Sequence, residues 1–347
     1  MEEKNNFTLK DYINNVLNGT ASGIVIGLIA NAILAGIFKA LIPYGSIFET
    51  LANVVTIMQF ITPAIVGVLV AQQFKLNPME SVVVGAATFL GSGAYTLTEA
   101  GVQLVGIGDL VNVMITSGLA VFVTRILQGR LGSLTIILLP ILVGAGVGTV
   151  GLLTLPYVSM LTGWIGELIN SFTSLQPLLM SILISVAFSI LIISPISTVA
   201  IGIAIGVAGL GAGAAAVGIT ACTAILVIGS YEINESGTTL AILLGGMKMM
   251  IPNLFKYPII TVPVILNAVV SGLGVYFLNI QGIPETAGFG IVGLVGPIQS
   301  LNMGTSLLGV TLVYFIIPFV GGFIINWVCQ KIAKLYTSKI FEFQPEN

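Results

Sequence analysis

Seven polar side chains interrupt otherwise apolar stretches of this sequence, and their chemistry suits a polyhydroxylated solute. They are Asp109, Asn112, Glu235, Asn253, Gln299, Ser300 and Asn302. Carboxylates accept hydrogen bonds, whereas amide and hydroxyl groups provide both donors and acceptors. Because a sugar hydroxyl both donates and accepts, this mixture of groups fits a sugar site. We therefore predict that these seven residues bind substrate.

Local structure gives the acidic members a second interpretation. Asp109 precedes an apolar run, where the exposed amides of a helix N-terminus favour a carboxylate, and Asn112 follows one turn later on the same face. Glu232 and Glu235 stand between two apolar runs and fit a solvated loop. A carboxylate that reaches membrane depth, however, is a functional candidate by default.

The amide groups also have structural alternatives. Asn253 lies between Pro252 and Pro258, where it fits a turn. The Gln299–Asn302 group follows a Gly-Pro break, where its side chains can satisfy backbone groups that the break leaves free. Both interpretations stay open beside solute binding.

The stretch Gly282–Gly304 cannot form one regular helix. Within it glycine recurs at Gly288, Gly290, Gly293 and Gly296, and Pro297 follows. Glycine costs about 1 kcal/mol in a helix interior and proline about 3 kcal/mol. Broken backbone at membrane depth persists only where protein or a water-filled cavity covers it. The stretches Gly85–Gly108 and Ser194–Gly218 are interrupted in the same way, which is typical of the segments around a transporter site.

The composition predicts an all-α integral membrane protein. Hydrophobic residues make up 56% of the 347-residue chain and charged residues 7%, and the mean hydropathy is +1.10. A soluble domain carries about 25% charged residues. We predict about ten transmembrane helices with re-entrant hairpins. Three candidate spans, Met79–Tyr95, Gly211–Ser230 and Thr238–Ile251, are short or glycine-rich, so half-spans and hairpins are alternatives there.

The distribution of lysine and arginine predicts that both termini lie in the cytoplasm, because nearly all of these residues then fall inside. We expect four regions along the chain. They are a cytoplasmic N-terminal tail at 1–19, a membrane part with the dimer-forming helices and the first broken segment at 20–175, a membrane part with the substrate-site hairpins at 176–328, and a cytoplasmic C-terminal tail at 329–347.

Several functions find no support in the residues. The chain has no histidine, and Cys222 and Cys329 have no metal or redox spacing. A GxGxxG match at Gly146–Gly151 lies inside an apolar span, where close helix packing explains it better than a dinucleotide site. A net charge of −2 gives no support for nucleic-acid binding. We expect no metal, no cofactor and no catalytic residue.

Five motifs in order resemble the membrane component, EIIC, of bacterial sugar phosphotransferase systems. They are Gly106–Met114, Arg130–Pro140, Ser194–Gly202, Ile251–Pro258 and Ala287–Pro297. The likeness runs from about Ala21 to Val328. It is greater still to the stand-alone EIIC-like branch that includes the perfringolysin-regulator-type proteins.

The resemblance implies the EIIC fold of the glucose superfamily, a homodimer in the bacterial cytoplasmic membrane, and a sugar bound near the midplane. It also implies soluble EIIA and EIIB partners, so the chain is at most the membrane subunit of an enzyme system. A [TN]-E-P element places a glutamate on the sugar in this family. Ile233–Glu235 stands at that place, with Ser236 instead of proline, which makes Glu235 the candidate carried over.

The same likeness leaves two other functions open. Many sugar-type EIIC proteins use a histidine that is missing here, which favours a membrane sensor or regulator that has lost phosphotransfer-coupled transport. A transporter driven by ions, or one without coupling, is the third alternative.

Overall fold

A computed structural model describes residues 8–99 and 101–343, which are almost entirely helical. The α-helices, in chain order, are α1 Leu9–Ile24, α2 Ala30–Leu41, α3 Ile47–Phe60, α4 Thr62–Gln73, α5 Pro78–Gly91, α6 Leu110–Leu127, α7 Thr135–Leu139, α8 Gly148–Phe172, α9 Pro177–Leu191, α10 Thr198–Ala204, α11 Gly209–Ser230, α12 Ser236–Leu243, α13 Ile251–Lys256, α14 Thr261–Leu278, α15 Pro284–Ala287, α16 Val295–Asn302, α17 Leu307–Thr311 and α18 Ile317–Trp327.

Other helical turns and one small sheet complete the described structure. Turns of π-helix lie at Val25–Ile29, Pro140–Val147, Leu312–Ile316 and Val328–Ile332. Short 3-10 helices lie at Ile42–Tyr44, Gly132–Leu134, Gly246–Met250, Pro258–Ile260, Val292–Leu294 and Ser338–Phe341. Strands β1, Tyr95–Thr98, and β2, Gly101–Leu104, pair antiparallel with Tyr95 opposite Leu104. They form an exposed hairpin within the first interrupted stretch.

The all-α membrane fold is confirmed. Within the described residues, five helical segments are long and apolar enough to cross a membrane, or six if one pair bent by 46° counts as a span. The five are Leu110–Leu127, Gly132–Phe172, Gly209–Ser230, Pro258–Leu278 and Leu307–Ile332, and the bent pair is Ile47–Phe60 with Thr62–Gln73. The apolar helices α5 and α9 are shorter.

The chain forms two compact units. The first contains the chain up to Asn31 together with Asn53–Ser159, and the second contains Ala32–Ala52 and the chain from Met160 onward. Of the predicted N-terminal tail, residues 8–19 lie in or at the start of α1, and residues 1–7 lie outside the described part. Of the predicted C-terminal tail, residues 329–343 are described, and 344–347 are not.

In the first unit, α1, α4, α5 and α6 pack side by side. Tyr12 on α1 donates to the Gly118 carbonyl of α6, and its ring packs against Phe74 with centroids 4.7 Å apart. Small residues allow this closeness: a Cβ at Gly91 of α5 would lie 2.9 Å from the Gly151 Cα of α8. Close backbone approach of this kind is how helices associate where water provides no hydrophobic drive.

In the second unit, α11 is the central helix and packs against α9, α14 and α18. Nearly all of its residues are buried. Asn267 of α14 donates to the Ala221 carbonyl of α11 and the Pro318 carbonyl of α18, each at 2.9 Å. With 22 residues, α11 is about 33 Å long, which is the thickness of a membrane core. We call its two ends the Gly209 end and the Ser230 end.

Residues Glu235–Tyr257 form a hairpin, here called hairpin A, that enters the second unit from the Ser230 end. Its two ends are close together, because Asn234 and Asn253 both bind the segment Ile340–Phe343. Between them, α12 ends at Leu243 and the chain reverses at Gly245, whose φ is 132°. The candidate span Thr238–Ile251 is therefore a hairpin, which was one of its two alternatives.

Residues Gly282–Gly304 form hairpin B, which enters from the Gly209 end. At one end, Gly282 and Gly209 exchange two backbone hydrogen bonds of 2.9 and 3.0 Å. At the other end, Ser300 donates to the Gln281 carbonyl at 2.8 Å. Both ends thus lie together, so the glycine-rich stretch turns back instead of crossing.

Candidate functional site

The tips of the two hairpins both pack against α11. In hairpin B, a Cβ at Gly290 would lie 2.7 Å from Cγ2 of Ile219, and the φ of 61° at Gly290 is one that L side chains rarely adopt. In hairpin A, the 3-10 turn Gly246–Met250, which contains Lys248, packs against α11. The two hairpins therefore contact the same central helix from opposite ends of the unit.

Lys248 attaches the tip of hairpin A to the chain break between α9 and α10. Its Nζ donates to the Ser194 carbonyl at 2.6 Å and to the Ile196 carbonyl at 2.9 Å, and the residue is 5% exposed. These carbonyls follow the C-terminus of α9, where the helix dipole favours a cation. Both acceptors are uncharged backbone carbonyls, so the buried amino group is held by peptide dipoles.

Hairpin B contacts the other side of the same break. Thr198 at the start of α10 donates from Oγ1 to the Gly288 carbonyl at 2.9 Å. A Cβ at Gly288 would lie 2.4 Å from both the Cα and the N of Val199, so only glycine fits there without a shift of backbone. The break from Ser194 to Val199 therefore lies between the two hairpins. The structure brings together the second and third interrupted stretches of the sequence.

The predicted residues of the first unit are engaged in hydrogen bonds there. Asp109 caps α6 and accepts from the amides of Val111 and Asn112 at 2.9 and 3.0 Å. The Asn112 side chain donates to the carbonyls of Gly91 and Gly151 at 2.6 and 2.9 Å and accepts from Thr154 Oγ1 at 2.9 Å. It is fully buried and joins α5, α6 and α8.

The five predicted residues of the second unit lie at opposite ends of it. Glu235 is the exposed N-cap residue of α12, and the buried Asn253 lies on α13, both at the Ser230 end. Gln299, Ser300 and Asn302 lie on α16 at the Gly209 end. Ser300 also lies 3.1 Å from the Tyr314 hydroxyl, whereas Asn302 is exposed. One solute cannot contact Glu235 and Asn302 together, because the length of α11 separates them.

Lys248 is the residue that the sequence analysis missed. It stands alone in GGMKMM, within the candidate span Thr238–Ile251. A single cation in an apolar run is itself a signal, since a charged residue at membrane depth is costly and faces protein or a cavity. Which carbonyls it binds depends on the fold of both hairpins, which no local pattern gives.

The described residues contain no cluster of three or more His, Cys, Asp or Glu side chains that could hold a metal ion. The central site instead contains hydrogen-bonding groups. They are the Lys248 amino group, the Thr198 hydroxyl, and the backbone groups of the Ser194–Val199 break and of hairpin B. Such groups bind neutral or anionic polar solutes.

Comparison with known protein families extends this description to the whole chain. Residues 14–343 match the family described as Phosphotransferase system, EIIC. No curated protein and no solved structure matches the chain. The family match spans all five motifs that resemble EIIC, and the apolar helices agree with a multi-pass membrane protein. This chain belongs to the EIIC family, the membrane component of the phosphotransferase system.

Proposed function

We propose that the chain is a sugar permease, the EIIC component of a phosphoenolpyruvate-dependent phosphotransferase system, and that its solute binds between the two hairpin tips. One observation carries this proposal: the hairpins enter from opposite ends of the second unit and meet against one helix break. Broken segments that meet near the midplane are typical of transporter sites. The freed backbone groups and the Lys248 ammonium supply donors and acceptors for sugar hydroxyls.

The exposed sequence-predicted residues suit the two entrances to this site. Glu235 at the Ser230 end would accept hydrogen bonds from solute hydroxyls and orient the one that becomes phosphorylated. Gln299 and Asn302 would receive solute at the Gly209 end. Asp109, Asn112, Asn253 and Ser300 are already hydrogen-bonded, so a contact with solute would require each of them to exchange a partner.

The transport cycle we propose is a rigid-body shift of the site-bearing half against the dimer-forming half. It uses separate EIIB and EIIA proteins to phosphorylate the sugar from the cytoplasm, and it takes place in a homodimer in the bacterial plasma membrane. The many exposed large apolar side chains, such as Tyr157 and Leu153, supply surface for both lipid and a second copy.

The test is solute binding by the purified protein in lipid nanodiscs, measured across a panel of sugars. We expect one class of sugar to bind saturably and its Kd to rise at least several-fold in Lys248→Met. Glu235→Gln and Asn302→Ala should weaken binding less, since they lie at the entrances. Lys256→Met is the matched control, because Lys256 is an exposed lysine on the same hairpin. If no sugar binds, or if Lys248→Met binds like the wild type, the proposal is wrong.

A membrane sensor is the second candidate, and the absence of histidine from the sequence favours it. Uptake into proteoliposomes, with purified EIIA and EIIB present, separates the two functions. A permease accumulates phosphorylated sugar inside. A sensor binds the sugar with no net flux.

A further inference from the structure

The C-terminal segment Tyr336–Phe343, here called the strap, is bound through its main chain by two asparagines. Asn234 Nδ2 donates to the Phe341 carbonyl at 2.7 Å, and Asn234 Oδ1 accepts from the Phe343 amide at 2.7 Å. Asn253 Nδ2 donates to the carbonyls of Ile340 and Glu342, each at 2.9 Å. The main chain of four consecutive residues, at and just after the 3-10 turn Ser338–Phe341, is thus held by two side chains.

One aromatic side chain anchors the strap. Phe341 has no exposed surface, and its ring lies directly on Gly229 near the end of α11. A Cβ at Gly229 would lie 2.5 Å from the Phe341 ring. The ring of Tyr336 meets Phe341 edge-on, with centroids 5.7 Å apart. Main-chain hydrogen bonds therefore hold the strap in register, and the aromatic side chains bury apolar surface against the end of α11.

The start of the strap is attached to the last membrane helix. The Tyr336 hydroxyl donates to Asn326 Oδ1 at 2.8 Å, and Ser338 donates to Gln330 Oε1 at 3.0 Å. The chain reverses just before this point at Lys334, whose φ is 50°. The strap consequently runs from the end of the last span to Asn234, just before hairpin A, and to Asn253, near the end of hairpin A.

An open groove of about 270 Å³ borders the strap on one side and is lined in part by Tyr231, Glu232, Trp327 and Ser338. The strap itself is held by the two asparagines and by the buried side chains of Tyr336, Ile340 and Phe341, all within one short segment. A segment held in this way can detach as a unit while the helices beneath it stay folded.

We propose that the strap is a releasable clamp on hairpin A. When bound, it fixes the two ends of the hairpin against each other and against the last span, so the hairpin tip at Lys248 stays closed. When released, hairpin A is free to move at the Ser230 end. The binding of the strap to the helices is shown by the contacts described above. The consequence for solute access rests on the proposed function.

The test uses two variants that release the strap from different sides. Gly229→Ala places a methyl group where the Phe341 ring lies, without changing the strap or the asparagines, and alanine favours the helix. Phe341→Ala removes the anchor itself. Gly237→Ala is the matched control, because nothing lies within 4 Å of a Cβ there. Hydrogen–deuterium exchange read by mass spectrometry reports on the strap and on hairpin A separately.

We expect faster exchange in residues 337–343 and in both ends of hairpin A for the first two variants, with wild-type exchange in α14 and in the Gly237→Ala protein. A strap that stays protected in Gly229→Ala, or a freed strap beside an unchanged hairpin A, would overturn the clamp. If Phe341→Ala does not fold, Gly229→Ala decides alone. Sugar binding is measured in parallel. If the exchange pattern agrees with the clamp but the protein binds no sugar, the permease proposal is refuted and the clamp proposal stands.

Discussion

Three buried asparagines connect separate backbone segments through hydrogen bonds. Asn112, Asn253 and Asn267 each donate both N–H groups to carbonyls of other segments. In a water-poor interior an unpaired carbonyl costs free energy comparable to a lost hydrogen bond, and a carboxamide can satisfy two carbonyls at once. Amides in an apolar sequence therefore have two uses, binding solute and joining helices, and the residue type alone does not separate them.

For Asn112 the joining role gives a direct prediction. Asn112→Ala leaves the Gly91 and Gly151 carbonyls without their donor, so the free energy of unfolding should fall by about 1–3 kcal/mol. Thermal unfolding of the purified protein measures this, with Asn53→Ala on the exposed face of α3 as control. If Asn112 also contacts solute, the variant will lose the rise in Tm that sugar gives the wild type. A variant with unchanged Tm would contradict the joining role.

Asp11 gives a pH-dependent prediction outside the membrane spans. Hydrogen bonds from the Thr8 hydroxyl and amide hold the pKa of Asp11 below its usual range. A group whose folded-state pKa is lowered stabilises the fold above its unfolded pKa of about 3.9, and this stabilisation is lost as the pH falls through the folded value. The first turn of α1 should therefore lose this stabilisation, and begin to fray, only when the pH falls through the lowered pKa of Asp11.

Selective labelling can follow this titration, because the chain contains only two aspartates. In a protein with ¹³C-labelled aspartate, the Thr8→Ala change should move the midpoint of the Asp11 carboxyl signal to higher pH. The Asp109 signal is the internal control for the labelling. Equal titration of Asp11 with and without Thr8 would contradict the capping arrangement.

At the scale of elements, the function proposed depends on close contact between hairpin B and α10. Gly288→Ala introduces a methyl group 2.4 Å from the Val199 backbone, and backbone cannot yield as a flexible side chain can. Overpacking of this kind costs about 1–3 kcal/mol. We expect a lower Tm and weaker sugar binding, measured by unfolding and by Kd. Gly163→Ala, where a Cβ meets nothing within 4 Å, should change neither.

The broken stretch at Gly282–Gly304 could be predicted because its signal is local. Glycine and proline in a helix interior cost free energy, so their recurrence marks a break in the helix. Hairpin A was harder to predict, since Thr238–Ile251 is apolar enough to resemble a short span. What makes it a hairpin is the pairing of Lys248 with Ser194 and of Asn253 with the strap, and such contacts between distant residues leave no local pattern.

In the candidate site, too, the residue types could be predicted from the sequence, but their arrangement in space could not. The residue types around each break were visible in the sequence, and the order of the motifs already resembled EIIC. The position of each residue along the length of the helix bundle is not visible in the sequence. The sequence therefore groups Glu235 and Asn302 into one site, although the length of α11 separates them. Periodicity gives the face of a helix that a residue occupies, but its height along the bundle follows only from which helices pack together.

At the scale of the whole molecule, lysines mark one end of the part of the second unit that begins at Met160. From Met160 onward the basic residues are Lys248, Lys256, Lys331, Lys334 and Lys339. All except Lys248 are exposed near the Ser230 end, beside hairpin A and the strap. Lysine and arginine accumulate on the cytoplasmic side of membrane proteins. The Ser230 end should therefore face the cytoplasm, where hairpin A would meet the soluble phosphocarrier partners.

Cysteine labelling in intact cells tests this orientation, because Cys222 and Cys329 are buried and give little background. Ser236→Cys lies at the exposed start of hairpin A, and Asn302→Cys at the exposed end of hairpin B. A membrane-impermeant maleimide added outside should label Asn302→Cys alone, and permeabilised cells should label both. Labelling of Ser236→Cys from outside would reverse the orientation. Labelling of both from one side would contradict the entry of the two hairpins from opposite faces, on which the proposed solute path depends.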